Sequence, residues 1–175
     1  YLKKLADQTH STALLGIIDN ANVFVVAKQE ADQTIGVTTR IGHRFSITHG
    51  AHGKAIVSFL PKDAQEKILQ QNRLFFHGNA SLFNLRRLEN EIKQCNKDGY
   101  AADMGELNPG INVIASPLFD SQGSLFGSMF IMGTFSESHI PEYGFIVSNI
   151  SKQFSAMLGA DIAQTYGRKK FKVQG

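Results

Sequence analysis

The run from Ile92 to Gly133 constrains the fold most: IKQCNKDGYAADMGELNPGINVIASPLFDSQGSLFGSMFIMG. An amphipathic stretch stops at Gly99, a natural C′ residue for a helix. A short acidic loop punctuated by Gly105, Pro109 and Gly110 follows. Two apolar strands, Ile111 to Phe119 and Leu125 to Met132, then flank Asp120-Ser121-Gln122-Gly123. That tetrapeptide suits a type I turn with glycine at positive φ, so the strands form a hairpin. With THGAHGKAIVSFL earlier in the chain, the layout predicts a pocket walled by a sheet and roofed by a loop. No complete catalytic or metal-binding set accompanies it, which favours a sensor over an enzyme.

The remaining elements follow from periodicity. Leu2 to His10 reads as a short helix, and His10-Ser11-Thr12 as a polar break. Ala13 to Ile18 and Val23 to Ala27 form a hairpin around Asp19-Asn20-Ala21-Asn22. Gln33 to Thr39 is expected to be a third strand, with Ile35, Val37 and Thr39 alternating. A loop spans Gly42 to Gly50. Ala51 to Phe59 is expected to be helical up to Pro61, and Lys62 to Gln71 is a polar helix. Asn72 to Asn84 reads as loop. Leu85 to Lys97 is amphipathic, with Leu85, Leu88, Ile92 and Cys95 in one stripe. About Glu142 to Gln164 is a single helix, in which Ile146, Ile150, Phe154, Leu158 and Ile162 recur every four residues. Adjacent hairpins with interspersed helices imply an α+β domain with a mostly antiparallel sheet of five or six strands. The first and last helices should share one face, away from the pocket.

A chain of 175 residues suits one domain, and 42% apolar against 19% charged residues suffices for a core. The net charge of +3 is too small to imply a nucleic-acid surface. Part of it lies in RKKFK, Arg168 to Lys172, read as a solvated tail over residues 168–175. The single cysteine, Cys95, allows no internal disulfide and fits a reducing compartment. No leader or membrane-length apolar run is visible, so a cytoplasmic protein without membrane partners is expected. The chain opens on Tyr1 rather than Met, which points to a fragment of something longer.

Six histidines invite a metal hypothesis: His10, His43, His49, His52, His77 and His139. No cysteine or second close pair completes a tetrahedral set around His49 and His52, and HExxH is absent. No metal and no cofactor are therefore expected. There is no GxSxG, and Ser116 precedes Pro117 inside a strand, a poor place for a nucleophile. Cys95 lies on a buried stripe, where a thiol acts as a small apolar group. Gly50-Ala51-His52-Gly53-Lys54 lacks phosphate-loop spacing. A loop entering a helix there still offers amide donors to a carboxylate. The alternative is that Gly53 merely permits close packing and Lys54 points to solvent. Asp103 and Glu106 either cap their loop or close over a ligand.

These residues bring the chain close to a known pattern. LADQTHSTALLGIID, IGHRFSITHGAHGKAIVSFLP and KDGYAADMGELNPGINVIASPLFDSQGSLFGSMFIMG, in that order, resemble the C-terminal effector-binding domain of IclR-family bacterial transcription regulators. The resemblance covers nearly the whole chain and implies a GAF-like fold over residues 1–167, with helices on both faces of the sheet. It also implies an N-terminal winged helix-turn-helix outside this chain, through which DNA is bound. Further implications are a homodimer or dimer of dimers and a small-molecule effector that shifts DNA affinity. The effector-binding positions carried over are Ala51, His52, Asp103, Val113, Phe130 and Met132, with no catalytic residue.

Members that bind small hydrophilic acids place Cys and Ser on the late strands, where this chain has Val113, Phe130 and Met132. Burying a hydrophilic acid there would leave polar groups unpaired, at about 1–3 kcal/mol each. The expectation is therefore an aromatic or apolar carboxylic acid, its carboxylate near Ala51 and a protonated His52, with Asp103 accepting a proton donor. The competing expectation is that Phe130 fills the cavity. Two other functions fit the residues: a GAF-type sensor of another signalling protein, and a small hydrolase or isomerase using His52 and Asp103.

Overall fold

The computed structural model describes residues 1–34 and 36–167. The chain runs α1 (Leu2–Thr9), β1 (Thr12–Asp19), β2 (Asn22–Gln29), β3 (Arg44–Ser46), α2 (Gly50–Phe59) and α3 (Lys62–Leu69). It continues through α4 (Leu85–Asp98), β4 (Ala101–Met104), β5 (Asn112–Phe119), β6 (Leu125–Gly133), α5 (Ile140–Met157) and α6 (Ile162–Tyr166). The strands form one six-stranded sheet in the order β3-β2-β1-β6-β5-β4. Every neighbouring pair is antiparallel. The α+β expectation with six strands holds.

Strand alternation sorts the core onto two faces. Ala13, Ile114, Leu118, Met129 and Ile131 pack under α1 and α5 with Leu5, Val147 and Ile150. Leu14, Ala115 and Phe130 face the other way, onto α2, with Ala51 and Ala55. Two small residues on α2 let that helix lie close to the sheet. Nearly all of it is buried, from Gly50 through Ser58. The first and last long helices do share the face away from α2, as their sequence suggests.

Sheet register assembles residues that are distant in sequence. Asp103 pairs with Val113, Val113 with Met132, and Met132 with Thr12. These four form one cross-sheet row. Ala101, Ala115, Phe130 and Leu14 form the parallel row beside it. A one-residue slip would turn both rows to the opposite face.

The structure differs from the sequence expectations at several elements. The described residues of Gln33–Thr39 are irregular, and Ile35 lies outside the described residues. The edge of β2 is taken instead by the segment after Gly42: β3 pairs with Asn22 to Phe24, and the Gly42 and His43 backbone bonds to Val25. Val37 serves another purpose, its carbonyl accepting the Thr12 hydroxyl at 2.6 Å. Residues 101–104, read as loop, form the edge strand β4, created by pairing with β5 rather than by any apolar pattern. Leu85 is half exposed, so the α4 stripe begins at Leu88. The expected long C-terminal helix breaks after Met157. Gly159 takes φ +95°, and the Asp161 carboxylate caps a new helix by accepting the Gln164 amide at 3.0 Å. The basic tail, 168–175, lies outside the described residues.

That last helix is tied to the core through Tyr166 and the buried Thr165. The Tyr166 ring packs edge-on against Phe119 and Phe59, with centroids 5.0 and 5.6 Å away, and its hydroxyl donates to the Pro117 carbonyl. Lys152 Nζ lies 5.2 Å from the ring centroid. Tyr166→Ala should therefore lower unfolding free energy by about 3 kcal/mol, measured by urea denaturation. An unchanged midpoint would show that α6 is not part of the cooperative unit.

Candidate functional site

The two cross-sheet rows and the start of α2 enclose a small hollow. Ala51, His52, Asp103, Val113, Phe130 and Met132 all line it. The six positions chosen from sequence thus meet in one place. Its remaining walls are Phe45 and His49 near α2, and Leu107, Asn108 and Ile111 from the roof loop. None of these was singled out as a ligand contact. The only hint was the adjacency of His49 to the motif and of Leu107 to Glu106.

The hollow holds about 30 Å³, roughly the share of one water molecule. Phe130 is 1% exposed and packs with Phe45 and His52, at centroid distances of 6.3 and 5.6 Å. His49 and His52 stack at 5.5 Å. Phe130 therefore fills most of the cavity, and a ligand enters only by moving side chains. Met132 stands between this hollow and a second one of about 420 Å³, which it also borders. Ser11, Thr12, Glu30, Gln33 and Thr38 line that larger space.

His52 is buried and its Nε2–H donates to the Ser46 carbonyl at 3.3 Å, which assigns the proton to Nε2. Burial, then the neighbouring His49, depresses its pKa to about 3. Burial and His43 bring His49 to about 4. Both rings are neutral at pH 7. The low-dielectric setting penalises the imidazolium, so His52 would hold a proton only against a partner negative charge.

Asp103 is 2% exposed. Its Oδ1 accepts the Glu106 amide at 2.8 Å, capping the roof loop. Oδ2 stands over Gly50, where an added Cβ would lie 2.6 Å from it and 2.3 Å from Leu107 Cδ1. Gly50, at φ +47°, is thus required by both backbone and space. Burial raises the Asp103 pKa, while the Glu106 amide and Lys54 oppose that rise. Asp103 does not orient His52, whose recorded partner is Ser46, so no acid–base pair forms. Ser116 is fully buried and donates to the Gly99 carbonyl at 2.7 Å. Burial pushes the Cys95 thiol up to about 12. Neither is an available nucleophile.

Behind the hollow lies an ionic cluster that the sequence did not disclose. Lys54, which one of two alternative readings of the sequence pointed to solvent, is 1% exposed. Its Nζ donates to Glu91 Oε1 at 3.0 Å, the Ala102 carbonyl at 3.2 Å and Glu106 Oε1 at 3.4 Å. Arg87 bridges the same carboxylates, with NH1 2.7 Å from Glu106 Oε2 and Nε 3.1 Å from Glu91 Oε1. His77 Nε2 donates to Glu91 Oε2 at 2.8 Å while Nδ1 accepts the Asn84 amide. Burial pushes the Glu91 carboxyl up, but the His77 bond and Lys54 outweigh it and hold the pKa below the usual range. Glu106 follows the same pattern, with Arg87 and Lys54 overcoming burial. Gly53 does permit close packing, as expected: a Cβ there would lie 2.5 Å from the Thr48 backbone. The one legible signal for the cluster was the i,i+4 spacing of Arg87 and Glu91. Among the described residues no group of three potential ligands is arranged to hold a metal ion.

Two outcomes are expected. Lys54→Ala removes the buried partner of Glu91 and Glu106, leaving them only Arg87 and His77, and should destabilise the fold by about 3 kcal/mol, read from chemical denaturation. The second concerns pH. His52 has a folded pKa below the usual 6.5, so the unfolded chain binds a proton that the native state refuses. Stability is complete above pH 6.5 and declines as pH falls, by about 1.4 kcal/mol per pH unit for this ring. His52→Gln should flatten the pH profile of the melting temperature below 6.5; an unaltered slope would contradict the assignment.

Comparison with known proteins places this geometry in a family. The pattern described as "Bacterial transcriptional regulator IclR C-terminal" matches residues 1–156. The chain is 26% identical over 161 residues to the HTH-type transcriptional regulator KipR of Bacillus subtilis, covering 90% of this chain and 64% of that protein. It is 22% identical over 163 residues to the transcriptional repressor IclR of Escherichia coli, covering 90% and 60%. It thus spans less than two thirds of these relatives. The Thermotoga maritima IclR structure aligns with a TM-score of 0.80 at 28% identity, over 91% of this chain and 66% of that one. The C-terminal domain of E. coli KdgR shares the fold, with a TM-score of 0.70 at 23% identity over 91% and 94%. The chain belongs to the IclR family of bacterial transcriptional regulators, whose C-terminal region it matches.

Proposed function

We propose that this chain is the ligand-sensing part of a longer regulator and that Ala51, His52, Asp103, Val113, Phe130 and Met132 are its effector contacts. One observation carries the reading: six residues from the start of α2, β4, β5 and β6 converge on a hollow beneath the loop 105–110, without a catalytic pair among them. The ligand's body is apolar or aromatic, because Val113, Phe130, Met132 and Phe45 supply most of the wall. Binding proceeds without turnover. The effector displaces Met132 and joins the hollow to the larger space beside Thr12.

In the full-length protein, a winged helix-turn-helix preceding residue 1 would contact DNA, and residues 1–167 would tune that contact as a homodimer or dimer of dimers. The names of its relatives, an HTH-type transcriptional regulator and a transcriptional repressor, support the DNA contact. Among the described residues no helix is long and apolar enough to cross a membrane. An effector changes DNA affinity only if it binds one arrangement of the subunits more tightly than another.

The test is native mass spectrometry of freshly purified protein, followed by a metabolite screen by thermal shift. A retained or stabilising small molecule is expected. Met132→Ala, which opens the partition between the hollows, should change its affinity by about tenfold or more, measured by calorimetry. A stabilising compound whose affinity ignores Met132, Phe130 and Asp103 alike would place the effector elsewhere.

A further inference from the structure

Two histidine rings form one wall of the hollow. His49, at the turn into α2, and His52, in its first turn, stack at 5.5 Å, and each lies 5.1 Å from the Phe45 ring. His52 is 3% exposed. Its Nε2–H is given to the Ser46 carbonyl, and among the described residues its Nδ1 has no hydrogen-bond partner. In the neutral ring Nδ1 is an acceptor. One added proton turns it into a donor and makes the ring a cation.

No surrounding element supplies a counter-charge bonded to either ring. α2 carries Lys54, which is committed to Glu91, Glu106 and the Ala102 carbonyl, and Arg87 on α4 serves the same two carboxylates. The segment before β3 brings His43, 4.5 Å from Phe45, and β3 brings Arg44, stacked over Phe24 at 4.2 Å. β4 brings Asp103, whose carboxylate caps the Glu106 and Leu107 amides. β5, β6 and the roof contribute Val113, Phe130, Met132, Leu107, Asn108 and Ile111, none of them titratable. Burial, with His43 beside His49 and His49 beside His52, therefore holds the two rings at about 4 and about 3.

An acid entering the hollow supplies the missing charge. A carboxylate about 4 Å from an imidazolium raises its proton affinity by roughly a thousandfold at the effective dielectric of a protein site. That returns one ring to the neutral range. The other stays uncharged, because a second cation 5.5 Å away opposes it. The sign follows from linkage: the pair is unprotonated when empty and protonated when occupied, so affinity rises as pH falls. We propose that an acidic effector enters this hollow together with a proton held by the His49–His52 pair, so that sensing answers to pH as well as to the effector. The proton comes from the buffer. The inference rests on the sensing function proposed above and adds a second, linked ligand to its binding step.

Benzoate and its neutral counterpart benzamide are the probes. Each is titrated calorimetrically into the chain at pH 6.0 and 7.5, in buffers of low and high ionisation enthalpy, which counts the protons taken up per ligand. Benzoate is expected to take up a measurable fraction of a proton. It should bind about fivefold or more tighter at pH 6.0 than at 7.5, against a limit of about tenfold per pH unit for full uptake. Benzamide should take up none and keep a level affinity. Ring ¹⁵N shifts of the native chain read the same event without a mutation, because saturation with benzoate moves the His49 or His52 nitrogens to protonated values. In His49→Gln/His52→Gln the uptake and the pH dependence should both vanish. Benzoate binding without uptake, or uptake that survives the double variant, would overturn the proton linkage and leave the sensing function standing. No binding of either probe, in both the native chain and Met132→Ala, would overturn the two together.

Discussion

A buried ammonium organises this domain. Lys54 sits inside the protein on α2, and removing an ion from water costs several kcal/mol unless its hydrogen bonds are replaced. The replacements come from Glu91 on α4, the Ala102 carbonyl on β4 and Glu106 in the roof loop. Each acceptor belongs to a separate segment, so satisfying one ammonium fixes their relative positions. Arg87 repeats the link between α4 and the loop from the solvent side, and His77 adds the segment that precedes α4. Glu106 then holds one end of the roof while its own amide is capped by Asp103. The roof is anchored on two sides by charge and needs no apolar core of its own.

On the opposite side of α2 the chemistry reverses. His52 is two residues before Lys54, which places it around the helix from the ionic cluster. There the walls are largely aromatic and apolar, and the imidazoles are uncharged. One helix therefore separates a fully paired ionic layer from a hollow that holds an acceptor and ring faces. Its small residues, Ala51 and Ala55, let it lie close enough to the sheet for both surfaces to form.

Much of this was legible in the sequence. The hairpin of β5 and β6, the end of α4 at Gly99 and the start of α2 all carry local signals, namely alternation, glycine at positive φ and helical spacing. The six positions that meet at the hollow came from the family resemblance; five of them lie on α2, β5 and β6, and Asp103 lies on β4. The failures share a different cause. β4 and β3 have three or four residues and exist because a neighbouring strand offers an edge, which no local pattern announces. Gln33 to Thr39 alternates like a strand, yet the edge it would need is already used by residues after Gly42. The helix break at Met157 went unseen because a four-residue apolar repeat ran across it and hid Gly159. The burial of Lys54 could not be read locally, because lysine is buried only when partners are present, and its partners lie 37 and 52 residues away.

The row that carries Asp103, Val113 and Met132 does not end at the hollow. Its next member is Thr12, the first residue of β1. Immediately before it stand Ser11, against which Gly133 is pressed, and His10, whose left-handed backbone forms the joint with the opening helix. A sideways step by one methionine is thus separated from α1 by a single ladder rung and a tight corner, so the wall of the cavity and the hinge of the leading helix are mechanically next-door neighbours.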